Sequence, residues 1–74
     1  MDQWRFTAVL EREGDMYAAL CPQLDVVSQG ATLEEARDNL REAVMLFLEA
    51  ASPEEIRERY RSEVFVTQFE VAHG

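Results

Sequence analysis

The stretch Tyr17 to Ala36 leaves this chain the least freedom in how it folds. It reads Tyr-Ala-Ala-Leu-Cys-Pro-Gln-Leu-Asp-Val-Val-Ser-Gln-Gly-Ala-Thr-Leu-Glu-Glu-Ala. Within it lie a strand, a proline break, a second short strand, a glycine turn and a helix start. Thr32 followed three places on by Glu35 is a capping box. The hydroxyl accepts the Glu35 backbone N–H while the carboxylate reaches back to the Thr32 N–H. Gly30 permits the sharp reversal just before the cap. The helix then runs from Glu34 to Ala51. Leu33, Ala36, Leu40, Ala43, Val44, Phe47, Leu48 and Ala51 fall at the three-and-four spacing of one apolar stripe. Glu34 and Glu35 occupy the first turn, where the helix dipole favours anions.

The flanking segments extend this pattern. Residues 4 to 10 alternate, with Trp4, Phe6, Ala8 and Leu10 on one face and Arg5, Thr7 and Val9 on the other, which predicts a half-buried strand. Glu13-Gly14-Asp15 is a turn, so Met16 to Cys21 returns antiparallel as a hairpin. Pro22 has no N–H to donate and ends that strand, and Asp25 to Ser28 forms a third. After the main helix, Ser52-Pro53-Glu54-Glu55 repeats the start signal and predicts a short helix to about Tyr60, with Glu55 and Arg59 as an i,i+4 pair. Glu63 to Val71 predicts a last strand, with apolar side chains on both faces. The order is βββα(α)β: an α+β domain, residues 1–74, with a four-stranded sheet and one main helix on one face. A right-handed crossover would make strands three and four parallel.

Size and charge bound the function. A chain of 74 residues forms one domain. At this length folding buries only about 60% of the unfolded surface. One cysteine excludes an internal disulfide, and no His/Cys cluster offers a structural zinc site. A sheet face left bare by the single helix, together with a two-faced last strand, calls for self-association as a homodimer or higher oligomer. No apolar run approaches the roughly 18 residues that span a bilayer, and no signal peptide is present, which points to a soluble cytoplasmic protein without membrane contact. Fifteen carboxylates face seven basic groups, all arginine, for a net charge of −8. Direct binding to DNA or RNA is disfavoured, because it would bring like charges together without counterion release. A basic protein partner is favoured. The same acidity also serves solubility.

Candidate sites are few. Glu34, Glu35, Asp38, Glu42 and Glu49 form an acidic helix face. Leu46 departs from the apolar stripe and projects with Glu35, Asn39 and Glu42, while Met45 lies at the margin with Glu34 and Asp38. Glu34, Glu35, Asp38, Glu42 and Leu46 are the candidate partner-binding set; the bland alternative is a solvated face with scattered apolar residues. Glu11, Asp25, Glu63 and Glu70 lie near strand ends with nothing to group them for two-metal chemistry. Cys21 lacks a nearby base, since the one histidine, His73, is far along the chain, so Cys21 reads as a buried structural cysteine. Trp4, Phe6, Phe47 and Phe65 read as core aromatics. No cofactor, no metal and no catalytic residue is expected.

The order tyrosine, alanine, Cys-Pro-x-Leu, Ser-Gln-Gly-x-Thr-x-Glu-Glu-Ala, then Asn-Leu-x-Glu-Ala resembles the HicB-like antitoxin family. Here it is carried by Tyr17, Ala18, Cys21 to Leu24, Ser28 to Ala36 and Asn39 to Ala43. The resemblance covers roughly residues 5 to 50 well and the last third weakly. It implies a partial RNase H fold with strand four beside strand one. It also implies a role: binding and sterically blocking a small basic RNA-cleaving toxin, HicA-like, of a type II toxin-antitoxin pair, without enzymatic activity. Many members carry a C-terminal DNA-binding segment, for which a chain ending at Gly74 leaves no room. The rival reading is an orphan HicB-like oligomeric scaffold or binding protein that has lost the toxin.

Overall fold

The computed structural model describes residues 4–74 and contains, in chain order, β1 (Val9–Glu13), β2 (Met16–Cys21), β3 (Val26–Gly30), α1 (Leu33–Ala50) and α2 (Pro53–Arg59). The three strands form one antiparallel sheet in the order β1-β2-β3. Glu13 pairs with Met16, so Gly14-Asp15 is a two-residue hairpin loop. Gly14 has a φ of 61°, the positive angle that such loops need so that their twist matches that of the strands.

The first strand is shorter than the alternation predicts, and the register gives the reason. Val9 lies opposite Leu20, which places Thr7 opposite Pro22, and Pro22 cannot donate to a ladder. The Gln23 side chain takes over there. Its Oε1 accepts the Thr7 N–H at 2.9 Å and its Nε2 donates to Thr7 Oγ1 at 2.7 Å. Gln23 is buried, and these bonds offset the desolvation of its amide.

The turn after Cys21 also departs from the expected strand boundary. Asp25 and Leu24 both donate their N–H to the Cys21 carbonyl, at 2.8 and 3.4 Å. Asp25 has a φ of 59° and so belongs to the turn rather than to β3. Aspartate is among the few side chains that tolerate this left-handed conformation.

Helix α1 begins where the capping box places it. Thr32 Oγ1 accepts the Glu35 N–H at 3.0 Å, but the Glu35 carboxylate reaches the Ala31 N–H at 3.2 Å instead of that of Thr32. Gly30 serves a different purpose from the one expected. Its φ is not in the left-handed region, and a Cβ there would lie 2.5 Å from the Ala36 nitrogen and 2.8 Å from the Glu35 carbonyl carbon. Gly30 lets β3 and α1 approach backbone to backbone.

The core is Ala19, Cys21, Leu24, Ala36, Leu40 and Val44, with Phe6, Leu10, Tyr17, Val26, Phe47, Leu48 and Tyr60 packed around it. Of the predicted stripe, Leu33 is largely exposed, because it precedes the point where the helix meets the sheet. Helix α2 has the predicted start: Ser52 Oγ accepts the Glu55 N–H at 3.1 Å, and Pro53 opens the helix. The expected Glu55–Arg59 pair does not form. Arg59 instead donates to the Leu24 carbonyl at 2.6 Å and lies 4.7 Å from the centre of the Phe47 ring, which ties α2 to the core.

The predicted fourth strand is not part of the sheet. Residues 61–74 form no helix and pair with no strand in this structure, so neither a parallel β3-to-β4 crossover nor a four-stranded sheet is seen. Phe65, expected in the core, is 86% exposed, and Phe69 is 84% exposed. Extended backbone becomes a strand only when a neighbour supplies hydrogen bonds. The radius of gyration, 14.5 Å, exceeds the about 11 Å of a compact chain of this length.

Candidate functional site

The two flanks of α1 differ, and both are set by helical periodicity. On one, Glu35, Asn39, Glu42 and Leu46 recur at intervals of three and four residues. Asn39 Nδ2 donates to the Gln29 carbonyl at 2.9 Å, so this flank borders β3 and closes part of that edge. Glu34 and Asp38 stand beside it. The four acids Glu34, Glu35, Asp38 and Glu42 are exposed, as is Leu46. The structure therefore places the predicted partner-binding set on one solvent-facing side of one helix. Arg37 lies 3.5 Å from Asp38, an exposed pair of little energetic weight. Glu35 also has a structural duty in the cap, separate from any role on the surface.

The other flank faces the segment that leads into β1. There Trp4, Phe6, Ala8, Cys21, Leu40, Val44, Met45 and Leu48 line an open groove of about 730 Å³, with Arg37 and Arg41 on its lip. Sequence reading missed this groove, because it treated Trp4 as core and Met45 as marginal. Trp4 is 40% exposed, and its ring meets Tyr60 edge-on at 4.7 Å. Tyr60 in turn meets Phe6 edge-on at 5.9 Å, and its hydroxyl donates to the Arg5 carbonyl at 3.3 Å. Tyr60 thus holds the segment before β1 against the end of α2, forming one end of the groove. The signal in the sequence was the mixed Arg37-Arg41-Met45 row at four-residue spacing, which runs beside Glu34 and Asp38 on the helix.

The sheet face away from α1 carries a second apolar row. Val9 is opposite Leu20, and Leu20 is opposite Val27, so the three share one face across all strands. Val27 is largely exposed. Helix α1 covers the opposite face, where Ala19 and Cys21 are fully buried.

The remaining candidates do not assemble. Cys21 is buried, and its thiol lies 3.5 Å from Gln23 Oε1, which places it in the packing of the strap over Thr7. Among the described residues no group of three or more His, Cys, Asp or Glu side chains stands close enough to hold a metal ion. No helix among them is long and apolar enough to cross a membrane. His73 and Glu70 lie in the exposed C-terminal segment, away from Cys21 and Asp25.

Comparison with known proteins adds one relative. The chain is 45% identical over 49 residues to the UPF0150 protein ssr1765 of Synechocystis sp. (strain ATCC 27184 / PCC 6803 / Kazusa). The match covers 64% of this chain and 62% of the relative, so it spans less than two thirds of the curated protein's length. No known family profile and no solved structure matches the chain. The chain is thus similar, over most of its length, to a UPF0150 protein.

Proposed function

We propose that this chain is a HicB-like antitoxin-type protein that binds and sterically blocks a small basic RNA-cleaving toxin in the cytoplasm. The observation that carries the reading is the 45% identity to a UPF0150 protein, UPF0150 being the HicB-like family under another name. The exposed acids Glu34, Asp38 and Glu42 support it physically. They form a negative surface beside Leu46, suited to steering and then anchoring a basic partner. In this reading the protein is not an enzyme, touches no nucleic acid directly and needs no cofactor. Its sheet becomes the partial RNase H arrangement when residues 63–71 pair along the edge of β1.

The test is co-expression with the product of the adjacent reading frame, followed by stopped-flow association at rising salt. The association rate should fall steeply as salt screens charges beyond roughly 10 Å. Neutralising Glu34, Asp38 and Glu42 to their amides, with Glu35 kept for the cap, should slow association by about tenfold and leave dissociation nearly unchanged. An acidic partner, or a rate indifferent to salt, would overturn the mechanism.

A second reading, an oligomeric scaffold without a toxin, is favoured by one observation. The most exposed large apolar side chains, Phe65, Phe69 and Val71, lie on the C-terminal segment and not on the acidic flank.

A further inference from the structure

We propose that residues 63–71 of one copy of this chain dock along the free edge of β1 and into the groove between α1 and the segment before β1 of a second copy, and that the exchange is reciprocal. The inference rests on the geometry of the groove and the segment; it shares with the antitoxin reading only the pairing of residues 63–71 with β1, and needs no toxin.

The groove and the segment match in chemistry. The groove has an apolar floor of Trp4, Phe6, Leu40 and Val44, and two cations, Arg37 and Arg41, on its lip. Phe65, Phe69 and Val71 fall on one face of an extended chain together with Glu63, which begins the run. A peptide with large apolar side chains and a carboxylate on the same face is what such a groove accepts. The opposite face carries Val64 and Val66, which would continue the apolar row Val9–Leu20–Val27 across the sheet.

The two sheet edges identify the docking edge. The β3 edge is partly closed by the Asn39 bond to Gln29 and by the close approach of α1 at Gly30. The β1 edge has neither, and the residues that lead into it, Phe6, Thr7 and Ala8, line the groove. An open edge next to exposed apolar surface is a template for strand addition.

The root and reach of the segment favour a second copy as its origin. The Arg61 N–H donates to the Gln23 carbonyl at 2.9 Å, and Tyr60 is seated on Trp4 and Phe6. Beyond this anchor the side chains of Phe65, Phe69 and Val71 are each at least three-quarters exposed, so the segment projects from its own body. Residues 61–74 can extend roughly 45 Å at the rise of a strand, enough to cross a neighbouring molecule. Each copy has one segment to give and one groove to fill, so a two-fold pair closes with nothing left over.

A charge-swap experiment on the full chain tests this. One variant carries Arg37→Glu and Arg41→Glu; the other carries Glu63→Arg. Wild type should sediment as a dimer. Each variant alone places like charges together, and its dimer should weaken by about tenfold or more. A 1:1 mixture should recover near-wild-type dimerisation, because both exchanged contacts are then complementary. All three positions are exposed, which favours folding of the variants. On wild type itself, isotope-filtered contacts should appear between Phe65 or Phe69 of one copy and Trp4 of the other. The proposal is overturned by a wild-type 8.5 kDa monomer at high concentration, by variants that dimerise like wild type, by a mixture that shows no recovery, or by Phe65–Trp4 contacts only within one copy.

Discussion

Met16–Cys21 and residues 64–71 are both short, largely apolar runs, and their environments are opposite. The first is the central strand, with Ala19 and Cys21 fully buried; the second is unpaired, with Phe65 and Phe69 more than four-fifths exposed. The difference lies in how each run finds neighbours. Met16–Cys21 is joined to β1 by a two-residue loop and to β3 by a short turn, so pairing requires little loop closure. Residues 64–71 follow two helices and must reach an edge distant in sequence, where the closure entropy is larger and no hairpin fixes the register. A strand-forming composition gives a segment the capacity to pair, and topology decides whether and with what.

Side-chain truncation in the two regions should break or sharpen this contrast. The largest effect is expected for Leu24→Ala, since Leu24 is 1% exposed at the centre of the core. It should destabilise the protein by about 2–5 kcal/mol, whereas Phe65→Ala in dilute solution should change stability by less than about 0.5 kcal/mol. Chemical denaturation of both at low concentration checks this. A comparable loss for Phe65→Ala would mean that the segment folds onto its own body.

Gly30→Ala comes next. The added Cβ meets backbone atoms of Glu35 and Ala36, which cannot rotate away, so about 1–3 kcal/mol should be lost as α1 shifts. An unchanged denaturation midpoint would show that the β3–α1 contact is loose, and that the two sheet edges are less different than they look. The smallest effect is expected for Thr32→Ala, about 1 kcal/mol, from loss of the hydrogen bond to the Glu35 N–H. Coincident thermal melts of Thr32→Ala and wild type would dissociate the helix start from its cap.

Features governed by local chemistry were legible in the sequence. The hairpin, both helix starts, the β2 span and the buried Cys21 follow from turn residues, caps and periodicity. The acidic members of the candidate surface were legible too, because a helical wheel places Glu34, Glu35, Asp38 and Glu42 without knowledge of the rest of the fold. The groove was not. It depends on α1 lying toward β3 and leaving β1 uncovered, and on Tyr60 fixing Trp4 at its end. Arg59 was assigned to its helical neighbour Glu55, yet the fold turns it to the Leu24 carbonyl and the Phe47 ring. Gly30 was explained by backbone freedom, although the observed reason is the proximity of another element.

The sequence by itself determined which segments are helix and hairpin, where the helices begin, and that the surface is strongly acidic. These depend on interactions within a few residues or on simple charge. Only the tertiary structure decided which edge of the sheet is closed and which is open, which arginines line a groove, and that Phe65, Phe69 and Val71 stand exposed beyond the Arg61 anchor. Those outcomes depend on how distant elements pack, where a shift of a helix by one strand's width exchanges a core for a binding surface.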